Sequence, residues 1–80
     1  MTVVWSPRAR RDLKGVDRGQ RTRIVDAVEH FAATGEGDVK ALRGDEAAFR
    51  LRVGDYRVLF DREGTIMSIV RVGHRRDVYR

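Results

Sequence analysis

Two hydrophobic rhythms divide this chain near Gly37, a helical one before it and an alternating one after it. A short apolar run at residues 3–5 reads as a strand. Ser6-Pro7 follows, a pair suited to a helix start: serine accepts from an otherwise unpartnered N–H, and proline has no N–H to lose. Ala9, Leu13 and Val16 would form the buried side of that helix, and Gly15 would end it. Asp17, with Gln20 three residues on, resembles a capping box and starts a second helix. There Ile24, Val25, Val28, Phe31 and Ala32 make one apolar stripe, His30 stands off it as an exposed residue, and Gly35 and Gly37 stop it.

Beyond Gly37 apolar and polar residues alternate. Residues 39–42 read as a weak strand or loop. FRLRV, YRVLF and TIMSIVRV then form three strand patterns in a row. Gly54-Asp55 joins the first two as a two-residue hairpin turn, and a second turn falls over residues 61–64. The expected fold is α+β: two N-terminal helices on one face of a small, mostly antiparallel sheet of about four strands. Residues 1–80 are expected to form one domain.

The hairpin turn fixes a register. Val53 would pair with Tyr56, Arg52 with Arg57, Leu51 with Val58, Arg50 with Leu59 and Phe49 with Phe60. One face then carries Phe49, Leu51, Val53, Tyr56, Val58 and Phe60, and should lie under the helices. The other carries Arg50, Arg52 and Arg57, with Leu59. Arg52 opposite Arg57 is a like-charge pair that costs stability. In the last strand Met67, Ile69 and Arg71 share one parity. If Arg71 joins the basic side, four arginines line one sheet face. Asp55 and Asp61 would compensate part of that charge.

Composition sharpens this picture. Net charge is +5, and of 17 basic residues only Lys14 and Lys40 are lysine. Arginine offers a planar fork that grips phosphate bidentately. An uncovered arginine face therefore suggests an anionic chain as ligand, most plausibly nucleic acid. The chain has no cysteine, which excludes thiol catalysis and cysteine-ligated zinc, and its two histidines are far apart in sequence. No run approaches the ~20 apolar residues of a membrane helix, and the N-terminus has no secretory pattern. These features lead to an expectation of a cytoplasmic protein without metal or cofactor.

The end of the chain, VGHRRDVYR, hangs beside the basic face. RNA is cut without a metal when the 2′-hydroxyl loses its proton, the phosphorane charge is stabilised and the leaving 5′-oxygen is protonated. Arginines supply the second need. Tyr79 or His74, held near arginines, would supply a proton step. Taken with VVWSPRARRDL, the two-helix block and FRLRVGDYRVLF, this ending resembles the RelE/ParE superfamily of toxin–antitoxin toxins across essentially the whole chain. The RelE branch, favoured by the arginine–tyrosine set, cuts mRNA in the ribosomal A site without metal, leaving a 2′,3′-cyclic phosphate. The resemblance implies Arg57, Arg75 (or its neighbour Arg76) and Tyr79 as catalytic residues. Arg50, Arg52, Arg71 and Arg76 would hold RNA. It implies a RelB-like antitoxin and the ribosome as partners. The other branch, ParE, acts on DNA gyrase. A non-catalytic binding module is a third reading.

Overall fold

Ser6 starts the first helix as its chemistry requires: its hydroxyl accepts from the N–H of Ala9 at 3.0 Å, with Pro7 as first helical residue. The computed structural model describes residues 1–43 and 46–78. Within them the order is β1 (Thr2–Trp5), α1 (Pro7–Lys14), α2 (Arg18–Thr34), β2 (Asp38–Ala41), β3 (Phe49–Val53), β4 (Tyr56–Glu63) and β5 (Ile66–His74). Asp17 caps α2 by accepting from Gln20 N, and Gly35 ends it in the left-handed region at φ 78°. Ile24, Val28, Phe31 and Ala32 are its buried stripe. Val25, expected there too, is only half-buried.

The described strands form one five-stranded sheet in the order β1-β5-β4-β3-β2. This corrects the expectation of about four strands. The weak strand or loop expected at residues 39–42 is a strand at Asp38–Ala41, paired antiparallel with β3. The run at the start of the chain pairs parallel with β5, so the sheet is mixed. The second turn is also tighter than expected. Strand β4 continues to Glu63, which pairs with Ile66, leaving Gly64 and Thr65 as a two-residue turn with Gly64 at φ 57°.

Both helices lie on one face. Ile24, Val28, Leu51, Val58, Phe60, Met67 and Ile69 close the main core between helices and sheet. Phe60 is its aromatic centre, with its ring centroid 5.6 Å from Phe31 and 5.4 Å from Phe49. Trp5 and Tyr56 pack at its edge. The opposite sheet face has no helix over it among the described residues. It carries a smaller apolar cluster of Ala47, Leu59 and Val78, flanked by Leu42 and Val70. No helix among the described residues is long and apolar enough to cross a membrane.

Candidate nucleic-acid interface

The β3–β4 register matches the one expected from the Gly54-Asp55 turn, pair for pair. Gly54 takes φ 59°, the conformation a two-residue turn requires of its first residue. Arg50, Arg52 and Arg57 therefore lie on the open face, opposite the main core. Strand β2 adds Asp38 and Lys40 to that face, opposite Arg52 and Arg50.

Arg71 also reaches the open face, but not by simple alternation. Its parity partners Met67 and Ile69 are buried in the main core. The pairing jumps from Leu59↔Arg71 to Phe60↔Ile69, so Val70 is an extra residue and a β-bulge lets Val70 and Arg71 face the same way.

Each of these arginines is bonded within the chain. Arg57 Nη1 donates to the carbonyls of Gly54 at 2.8 Å and Tyr56 at 3.0 Å. Arg50 Nη1 donates to Asp38 O at 3.1 Å and approaches its carboxylate at 3.4 Å. Arg52 Nη1 lies 3.8 Å from the other oxygen of the same carboxylate. Asp38 thus compensates two arginines, a role that the reading from sequence assigned to Asp55 and Asp61. Asp61 instead accepts from the N–H of Ala48. Asp55 pairs with Arg75 at 3.8 Å. Together these bonds explain how Arg52 and Arg57 tolerate facing each other: one is drawn toward Asp38, the other folded onto its own turn.

The chain end meets the same turn. The N–H of Arg75 donates to Asp55 O at 2.7 Å. Arg57 and Arg75, from β4 and from the segment after β5, are both anchored on Gly54-Asp55. Arg76 is exposed, and its N–H donates to Nδ1 of His74 at 3.2 Å. Tyr79, the expected tyrosine, lies outside the described residues.

His74 departs from the expected constellation. It pairs with Tyr56, whose ring packs against the main core, so both point to the helix side. Their rings meet edge-to-face at 5.7 Å. His74 lines a cavity of about 320 Å³ with Asp17, Gln20 and Arg23 of the α2 end, across the sheet from Arg57. Reasoning from sequence also missed Asp38, Ser6 and Asp12 as determinants of this face. They act through tertiary contacts between segments far apart in the chain, for which the sequence carries no local signal.

A small mixed sheet, helices on one side and arginines on the other, defines a small α+β module with a basic open face. The model of the family described as "ParE toxin of type II toxin-antitoxin system, parDE" matches residues 3–79, and the chain belongs to that family. It is 40% identical over 90 residues to Toxin RelG of Mycobacterium tuberculosis, covering 99% of this chain and 95% of the relative. It is 30% identical over 84 residues to Toxin RelE3 of Methanocaldococcus jannaschii, covering 99% and 96%. Among solved structures it resembles the RelB–RelE antitoxin–toxin complex of Methanococcus jannaschii, with TM-score 0.77, 28% identity and coverage of 95% of this chain and 94% of that one. It also resembles the toxin–antitoxin complex RelBE2 of M. tuberculosis, with TM-score 0.78, 29% identity and coverage of 91% and 95%. The chain is a type II toxin of the RelE/ParE superfamily.

Proposed function

We propose that this toxin is an endoribonuclease that cuts mRNA on the ribosome and so blocks translation, and that a RelB-like antitoxin neutralises it. The observation that carries this reading is the convergence of Arg57 and Arg75 on the Gly54-Asp55 turn, at the edge of an uncovered arginine face. The RelE-type names of the relatives support it. In the reaction the 2′-hydroxyl attacks the adjacent phosphorus, the P–O5′ bond breaks, and a 2′,3′-cyclic phosphate and a 5′-hydroxyl result. Arg57 and Arg75 stabilise the charge that builds on the phosphorane oxygens. To do so Arg57 exchanges two carbonyl partners for phosphate, a gain because a hydrogen bond to a charged acceptor is stronger than one to a neutral carbonyl. Tyr79 carries a proton step, and Arg50, Arg52 and Arg76 hold the strand. His74 has no part in proton transfer. With so small a proposed catalytic set on an 80-residue chain, the ribosome supplies substrate orientation. Residues 1–80 act as one toxin domain in the cytoplasm.

A second reading follows from the family description itself, which names ParE: a toxin acting on DNA gyrase. One experiment separates the two. Wild type and Arg57→Ala are induced in a bacterium, growth is followed, and mRNA 5′ and 3′ ends are mapped. The ribonuclease reading expects arrest with new mRNA ends, both lost in Arg57→Ala, while the variant still binds antitoxin. Arrest with intact mRNA and a DNA-damage response that survives the substitution would overturn it in favour of gyrase. No arrest with wild type would leave a binding module.

A further inference from the structure

Arg71 stands where strict alternation calls for a core residue, and the fold goes to some length to turn it outward. The bulge that does so is clamped by α1. Ser6 Oγ donates to Val70 O at 3.0 Å and Ser6 N donates to Ile69 O at 3.0 Å. Asp12 Oδ2 accepts from Val72 N at 2.9 Å. The edge of β5 just past the end of β1 is thus met by one helix's cap residue and by a carboxylate from its last turn. A bulge with dedicated partners is a built feature rather than a slip in pairing.

On the open face Arg71 is not presented to solvent. Its side chain is only 16% exposed, and Nη1 lies 3.5 Å from Glu46 Oε2. The same nitrogen donates to the carbonyl of Val78 at 3.0 Å. Val78 is buried to 1% exposure in the small cluster with Ala47 and Leu59. Arg71 therefore ties the segment after β2 to the segment after β5, over the one apolar patch that both share. Arg52 and Arg75, by contrast, are each 56% exposed and free to exchange partners.

We propose that Arg71 is a positioning residue and not a phosphate contact: set outward by the bulge, it fixes the Val78 carbonyl and with it the peptide through which the chain continues to Tyr79. Only the catalytic consequence rests on the ribonuclease reading; the latch itself does not. Two variants test it. Arg71→Met keeps the reach of the side chain without the guanidinium, and Arg71→Lys keeps the charge with a single donor group.

The first readout is amide hydrogen exchange at Val78, whose N–H donates to His74 O at 3.0 Å, with Val58 in the central hairpin as control. The second is affinity for 2′-O-methyl RNA, which cannot be cleaved, with its salt dependence. The third is the single-turnover cleavage rate on saturating programmed ribosomes. Arg71→Met is expected to speed Val78 exchange by about tenfold or more with Val58 unchanged. It should leave RNA affinity and salt slope as in wild type, and slow cleavage by about tenfold or more through misplacement of the chain end. Arg71→Lys should restore part of both. Weaker RNA binding with a shallower salt slope and a normal rate at saturation would overturn the proposal and make Arg71 a phosphate contact. So would Val78 exchange that stays at the wild-type rate or rises only in step with Val58. If wild type cuts no RNA while Val78 exchange responds as expected, the ribonuclease reading fails and the latch stands.

Discussion

Ser6 shows how much one small side chain can carry. Its hydroxyl accepts from Ala9 N to cap α1 and donates to Val70 O to hold the bulge in β5. The cap was legible from Ser6-Pro7 because capping is local chemistry. The second bond joins residues 64 apart, and nothing near Ser6 in the sequence announces it. Ser6→Ala removes both bonds and leaves a part-buried carbonyl short of a partner, so it should cost about 1–3 kcal/mol. Urea denaturation followed by circular dichroism measures this; an unchanged midpoint would mean that the bulge closes without Ser6. Gly54 is a residue of the opposite kind, important for what it lacks. At φ 59° a side chain is strained, and a Cβ there would come within 2.9 Å of the Arg23 guanidinium. Arg23 is flexible and can move, so Gly54→Ala should cost about 1–2 kcal/mol, mostly from the backbone. Because Arg57 donates to Gly54 O, the same change should lower toxicity more than its stability cost explains, read as growth arrest at matched soluble expression.

Among the elements, legibility tracked how local the determinants were. The β3–β4 hairpin was readable to the residue because a two-residue turn leaves one register, and alternation then sorts Phe49, Leu51 and Val53 from Arg50 and Arg52. Helix α2 was readable from its stripe and its terminal glycine. Strand β2 was not, since DVKA offers one half-buried valine and gains its place by pairing with β3. The parallel pairing of β1 with β5 joins the two ends of the chain and has no turn to betray it. Strand β5 defeats parity outright: Met67, Ile69 and Arg71 read as one face, yet an inserted Val70 sends Arg71 to the other. For the candidate site, the sequence located Arg50, Arg52 and Arg57 on one face, but His74 was drawn to the opposite side by pairing with Tyr56. The clamp of α1 on the bulge implies coupling between its two contacts. Ser6→Ala and Asp12→Ala, measured singly and together, should be non-additive by about 0.5 kcal/mol or more, because once one contact is lost the bulge can relax away from the other. Additive losses would show that the two bonds act independently.

For the molecule as a whole, charge is the property that matters most. A net +5 sits on 80 residues, and the sheet face with no helix over it among the described residues concentrates arginine. The face is held in reserve by its own carboxylates. Asp38 alone lies within 3.4 Å of Arg50 and 3.8 Å of Arg52. Under the proposed ribonuclease reading the two arginines would exchange this carboxylate for phosphate, with a smaller net gain than two free arginines would give. Asp38→Asn removes that competition. Asp38 is 56% exposed, so the loss of its ion pairs should change folding stability by less than about 1 kcal/mol. RNA binding should respond more. For single strands the slope of log K against log salt steepens by about 0.7 for each phosphate neutralised. Two arginines released to phosphate then predict an added slope of about 0.7 to 1.4, the lower figure if only one engages. Binding of fluorescent 2′-O-methyl RNA, titrated across salt concentrations for both proteins, measures it. A steeper slope with tighter binding at low salt would place Arg50 and Arg52 on the backbone of the bound strand. An unchanged slope would mean that these arginines serve Asp38 and the sheet, and that the strand lies elsewhere on the open face, nearer Arg57 and Arg75.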